Sequence, residues 1–165
     1  MPEAISNASP LIQLSKIEKL PLLAQLHWRV MIPNAVYREV VLAGKERPGA
    51  EAVAGAVEEG WILRTAARED QVLQLLREQI DEGESEAIRL AMDNPSSVVL
   101  LDDVAARSVA IRLGLRVTGT VGLLLRAKQD GLIPLIQPLI EQLRVDGRFY
   151  IAPAIMLQIL EAAGE

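Results

Sequence analysis

Asn7, Glu39, Glu86 and the adjoining Asp102 and Asp103 are the side chains whose types and placement could do chemistry. Asn7 follows the apolar segment AIS at 4–6, and Glu39 sits on the helix predicted after VMI at 30–32. Glu86 lies near the start of the helix GESEAIRLAM, and the aspartate pair ends the strand SVVLL at 97–101. In an open parallel sheet, ligands gather at the carboxyl ends of the strands, where all these residues stand or can reach. Glu82 and Glu86 are one helical turn apart and repel on the same side, with Glu84 directed elsewhere, roughly with Ile88. Converging like charges cost energy unless they are separated, protonated or bound to a cation. Mg²⁺ or Mn²⁺ would satisfy them, because hard cations prefer oxygen ligands and the chain has no cysteine and one histidine. Plainer uses stand beside this one. Asp102 or Asp103 can cap the following helix, Glu39 and Glu86 can face solvent, Asn7 can stabilise a turn, and His27 and Trp28 read as packing residues.

The composition narrows the field further. A chain of 165 residues that is 50% hydrophobic and 24% charged has the size and core of a single domain. The absence of cysteine excludes a disulfide scaffold, thiol chemistry and thiolate zinc sites, and one histidine excludes histidine clusters. No uninterrupted run of 18 apolar residues occurs, and the start MPEAISNASP has neither a basic nor a long apolar region. A cytoplasmic protein with no membrane association is therefore expected. Neither GxxxxGK[ST] nor GxGxxG is present, which argues against ATPase, kinase and dinucleotide-binding readings.

The net charge of −5 conceals an asymmetry. Residues 81–103 carry a local balance of −6, whereas residues 104–129 hold Arg107, Arg112, Arg116, Arg126 and Lys128 and no acid. An acidic focus beside a basic run suits a cation site rimmed for a polyanion, and it suits equally two solvated helix faces of opposite sign.

The elements that must position these residues alternate between strand and helix. Strands are predicted at AIS, VMI, WILR at 61–64, SVVLL and LRVTG at 115–119, with helices between them. Ser9 as N-cap with Pro10 at the first helical position starts the first helix; a helix of moderate quality spans 65–80; Pro134 opens another, running through Leu143. Residues 145–165 are read as a short strand, FYIA, and a terminal helix. The alternation predicts an α/β domain with a mainly parallel sheet.

Four segments carry a resemblance when taken in order: NASPLIQLSKI, VMIPNAVYREV, GESEAIRLAM and VVLLDDVAARSVAIRLGLRVTGTVGLLLRAKQDGLI. As a set they resemble the PIN-domain-like family of uncharacterised bacterial and archaeal proteins related to the VapC type of toxin ribonuclease. The resemblance covers residues 4–140 and implies a single domain over 1–165. It implies a three-layer α/β/α sandwich, an acidic cluster holding Mg²⁺ or Mn²⁺, and cation-dependent cleavage of RNA. Many relatives are toxins neutralised by a small cognate antitoxin, and many form homodimers. Position by position, the family's first acid corresponds to Asn7, the second to Glu39, the third to Glu86 and the last to the Asp102/Asp103 pair. Asp103 matches the later Asp of the family's T-x-D pattern, with Leu101 in place of its Thr. Glu39, Glu86, Asp102 and Asp103 are then the expected metal ligands, and Asn7, Glu39, Glu86 and Asp103 the catalytic set.

Asparagine at residue 7 departs from the family pattern. It offers a neutral oxygen, removes one negative charge and cannot act as a base. Two functions from different classes follow: an endoribonuclease acting on single-stranded RNA, or a non-catalytic PIN-like module that binds RNA or a protein. Thr118, Thr120 and Arg107 are further candidates to line a phosphate path.

Overall fold

The computed structural model describes residues 2–27, 29–145 and 149–165; Trp28, expected to pack at a helix-to-strand handover, lies outside them. Among these residues, five short strands form one parallel sheet: β1 (Ala4–Ser6), β2 (Val30–Pro33), β3 (Ile62–Thr65), β4 (Val98–Leu100) and β5 (Arg116–Thr118). Their order is β3-β2-β1-β4-β5, so the chain winds outward from β1 to one edge and then returns to wind to the other. Among the described residues, ten helices accompany the strands: α1 (Ala8–Lys16), α2 (Leu22–Leu26), α3 (Asn34–Tyr37), α4 (Ala50–Glu59), α5 (Gln71–Arg77), α6 (Glu82–Met92), α7 (Val104–Arg112), α8 (Thr120–Gln129), α9 (Gln137–Arg144) and α10 (Pro153–Ala163). A π-helical turn, Arg38–Leu42, continues α3.

Alternation along the strands explains the three layers. Successive strand residues face opposite sides of a sheet. Ala4, Val30, Ile32 and Leu100 belong to one buried cluster, together with Leu11, Leu23, Val53, Leu124 and Ile140 from the helices on that side. Ile5, Met31, Val99 and Leu101 belong to the other, with Leu76, Ala87, Ile88, Ala106 and Ala110 from α5, α6 and α7. Both faces being covered, the central strands must be apolar throughout, as VMI and VVLL are.

Several boundaries differ from the sequence-based expectation. The first helix starts at Ala8 with Asn7 as N-cap, not at Pro10 with Ser9 as cap. The Ser9 hydroxyl is committed to Asp102 Oδ2 at 2.8 Å, and Pro10 is tolerated because the first turn's N–H groups have no intrahelical partners. The helix expected over 65–80 shrinks to α5, where Asp70 caps the start by accepting from Leu73 N at 3.0 Å. The helix expected from Pro134 begins at Gln137, with the Glu165 carboxylate accepting from the Ile136 and Gln137 N–H groups. FYIA forms no strand: Ile151 is buried against the helical core instead of pairing with an edge. No described helix is long and apolar enough to cross a membrane.

Gly119 sits at a tight junction between β5 and α8. A Cβ there would lie 2.8 Å from Asp102 Oδ1, 3.1 Å from an Arg107 guanidinium nitrogen and 3.2 Å from the Leu101 carbonyl oxygen. Gly55, inside α4, has nothing within 4 Å of the same position. Gly119→Ala is therefore expected to destabilise the protein by about 1–3 kcal/mol, as overpacking does. Gly55→Ala should stabilise it by about 0.5–1 kcal/mol through backbone entropy. Urea unfolding of both variants checks the pair, and equal effects would contradict this account of the β5–α8 junction.

Candidate active site

The strand order creates a crevice between the carboxyl ends of β1 and β4, where the direction of winding reverses. A cavity of about 980 Å³ opens there. Asn7 enters it from the end of β1, Asp102 and Asp103 from the end of β4, Glu39 from the π-helical turn, and Asp81 and Glu84 from the start of α6. Lys16 and Arg47 line the same cavity.

Asn7 has the most unusual environment. It is the N-cap of α1, a position favoured by asparagine because its side chain can accept from the helix N–H groups, yet it makes no such bond. Its amide oxygen is buried without a hydrogen-bond partner. A point above Gly83, where a Cβ would stand, is 3.0 Å from that oxygen and 3.4 Å from Glu39 Oε2. Glycine in the first turn of α6 thus leaves open a space bordered by both oxygens.

Asp102 and Asp103 have separated roles. Asp102 Oδ1 accepts from Thr120 N at 2.7 Å, and its Oδ2 accepts from the Thr120 and Ser9 hydroxyls at 2.7 and 2.8 Å. It ties α1, β4 and α8 together at the cavity floor. Asp103 caps α7 by accepting from Ala106 N at 2.9 Å. Thr120, a candidate to line a phosphate path, is the first residue of α8, and its hydroxyl is spent on Asp102. Arg107 donates to the Leu101 carbonyl at 2.9 Å.

Glu84, which the helix spacing directs away from the site, instead lines the cavity, and it forms a reciprocal cap with Asp81, a residue with no role expected from the sequence. Asp81 Oδ1 accepts from Glu84 N at 2.8 Å, and Glu84 Oε2 accepts from Asp81 N at 3.2 Å. The signal was present as Asp-x-x-Glu ahead of an apolar helix. Such a box turns the Glu84 carboxylate back toward the helix N-terminus, which here is the crevice. Burial, reinforced by Asp81 and Asp103, pushes the Glu84 carboxyl up to about 7. Burial, then Asp81, also raises Glu39.

Glu86 does not line the cavity. Residues two apart on a helix point in nearly opposite directions, so Glu84 and Glu86 cannot share one face. Glu86 is directed to α3, where it accepts from Ala35 N at 3.3 Å and lies 3.7 Å from Arg38. Burial raises its carboxyl, and a hydrogen bond with Glu82 adds to the effect. Glu82 itself is held by Arg77 at 2.7 Å, which lowers it. Of the expected set, Asn7, Glu39, Asp102 and Asp103 therefore share the cavity, and Glu84 occupies the place assigned to Glu86.

The donor chemistry fits a hard divalent cation. Every candidate ligand is an oxygen, one of them a buried amide oxygen without a partner, and burial together with Asp81 makes the Glu39 and Glu84 carboxyls resist ionisation. Among the described residues no three His, Cys, Asp or Glu side chains form a group that could hold a metal ion, so a cation held here would require the carboxylates to draw in.

A family model described as a PIN domain matches residues 3–165 of the chain. No curated protein matches the chain.

A carboxyl raised by its folded surroundings contributes stability that is complete below its unfolded value, 4.5, and lost as pH rises through its folded value, about 7. Without a divalent cation, Glu84→Gln keeps the oxygen that accepts from Asp81 N and removes the charge. The variant is expected to be more stable than the wild type by about 1–3 kcal/mol at pH 8, with the difference closing by pH 4.5. Urea unfolding at the two pH values measures this, and a gap that is constant with pH would contradict the crowding of carboxylates described here.

Proposed function

The chain belongs to the PIN-domain family, whose members are in general nucleases that use divalent metals, and from this premise we propose that it is an Mg²⁺- or Mn²⁺-dependent endoribonuclease cleaving single-stranded RNA. The observation that carries the reading is the buried, unpartnered Asn7 oxygen facing Glu39 across Gly83, with Glu84 and Asp103 lining the same cavity. A buried polar atom without a partner costs roughly 1–3 kcal/mol, so its retention at a cavity rich in carboxylates supports a ligand that accepts oxygen donors.

Asn7, Glu39, Glu84 and Asp103 would hold the cation. Once bound, it would supply Lewis acidity that offsets charge on the scissile phosphate. The remaining tasks fall to the chain itself. Asp81 aims Glu84 through the reciprocal cap, and Asp102 fixes the floor between β4 and α8. Glu86 secures the start of α3, from which the π-helical turn presents Glu39. Lys16 and Arg47 on the cavity wall counter the repulsion between RNA phosphates and the acids.

Asn7 favours a second reading, a non-catalytic module that binds RNA or a protein partner through the same cavity. An asparagine ligand leaves the site one charge short of the four-acid family pattern, which weakens the hold on a cation. The two readings separate in one experiment. Wild type, Asp103→Asn and Asn7→Asp are incubated with a single-stranded RNA pool in Mg²⁺ or Mn²⁺, with a chelator control, and cation affinity is titrated by calorimetry. The nuclease reading expects cation-dependent cleavage, a loss of about 100-fold in Asp103→Asn, a group that stabilises charge in the reaction, and tighter cation binding in Asn7→Asp. Asn retains the cap to α7, so thermal unfolding should change little. Cation binding without cleavage in all three proteins supports the binding module instead.

A further inference from the structure

A second cavity, of about 410 Å³, adjoins the acidic one and shares Asp102, Phe149 and Tyr150 with it. Its walls differ in chemistry. Val117, Val121, Ile155 and Ile159 make them apolar, while Arg107 and Thr118 add polar groups. Gly119 and Gly122 keep the floor bare; a Cβ on Gly122 would collide with the Thr118 hydroxyl, and one on Gly119 would press on Asp102 and Arg107. Tyr150 stands at the boundary of the two cavities with 78% of its surface in water, and Ile155 is 47% exposed. Large apolar side chains left open beside a charged crevice mark a surface that something covers.

We propose that the second cavity is a nucleobase subsite: it receives one unpaired base of a single-stranded nucleic acid whose phosphate lies in the acidic cavity, and the Tyr150 ring is its stacking surface. Continuity identifies the occupant. A ligand spanning both cavities must be anionic or oxygen-rich where the cation site lies, and flat and apolar a few ångströms away, which describes adjoining parts of a nucleotide. The volume is that of a small organic ligand and too small for a protein helix. An unpaired base can turn its face to an aromatic ring, whereas a base inside a duplex is already stacked and paired. Arg107 places a cation on the polar side of the cavity beside the Asp102 carboxylate, which three donors already hold, so a neighbouring phosphate meets one basic group there. Apolar walls with few hydrogen-bonding groups accept bases of any identity. The strand's path rests on the nuclease reading; the base pocket rests on the cavity itself.

The test is a binding measurement. Fluorescence anisotropy in Ca²⁺ compares a short labelled single-stranded RNA with an abasic strand of the same length, using wild type, Tyr150→Ala, Tyr150→Phe and Ile155→Glu. Tyr150→Ala should weaken binding of the base-bearing strand about tenfold, and Tyr150→Phe, which keeps the ring, should retain it. Ile155→Glu, acting through a different wall, should also weaken it. The abasic strand should bind weakly and equally to wild type and the two Tyr150 variants, with Ile155→Glu weakening it further through its added charge. Unchanged affinity of Tyr150→Ala for the base-bearing strand, or the same proportional loss on the abasic strand, would overturn the subsite. A wild type that binds no RNA would overturn it too. Base-dependent binding by a protein that does not cleave sinks the nuclease reading and leaves the subsite standing. Cleavage by a protein whose binding ignores both the base and Tyr150 does the reverse.

Discussion

Everything at the candidate site depends on one constraint, the parallel alignment of β1 with β2 on one side and β4 on the other. Parallel strands deliver their carboxyl ends to a single edge, and reversal of winding between β1 and β4 leaves that edge uncovered by a crossover. Asn7 directly follows β1, and Asp102 follows β4 after Leu101. Neither strand can slip in register: a shift of one residue would exchange Ile5 with Ala4 and Val99 with Leu100 between the two hydrophobic clusters. Apolar packing on both faces thus sets the positions of polar groups that contribute nothing to that packing.

The acids at this edge oppose folding as well as equipping it. Glu39 and Glu84 are both raised mainly by burial, with Asp81 adding to each. The protein moderates this repulsion locally. Asp102 is bound by three donors from Thr120 and Ser9, and Asp103 and Asp81 each accept from a helix N-terminus, where backbone N–H groups and the helix dipole favour negative charge. Asn7 contributes in a different way, because it is neutral. Its oxygen is left without a partner where a carboxylate would add a further charge. A cation site with one amide among its oxygens folds more easily when empty and binds its cation less tightly. The same residue therefore shapes both stability and affinity.

How much of this was legible in the sequence follows from which interactions are local. SVVLL could be read as a central strand because burial on both faces demands an unbroken apolar run. Asn7, Glu39 and the Asp102/Asp103 pair could be placed because they stand next to such runs. Glu84 and Glu86 were harder to tell apart, since spacing alone fixes their relative direction and not which of them faces the crevice; the reciprocal cap with Asp81 decides it. Ser9 looked like a cap because its competitor, Asp102, is 93 residues away in the chain. FYIA has the composition of a strand, but Ile151 finds its burial in the helical layer. The terminal Glu165 caps α9 across a separation of 29 residues, which no local pattern announces.

The central claim is that the Asn7 oxygen and the carboxylates around it form one cation site at the edge between β1 and β4. Anomalous diffraction from crystals containing Mn²⁺ tests it directly. The account predicts a peak within coordination distance of Asn7 Oδ1 and Glu39, with Glu84 and Asp103 contributing directly or through water, and with Glu86 still bound to Ala35 N. A peak coordinated by Glu86 and remote from Asn7, or no peak at this edge at saturating Mn²⁺, would contradict it.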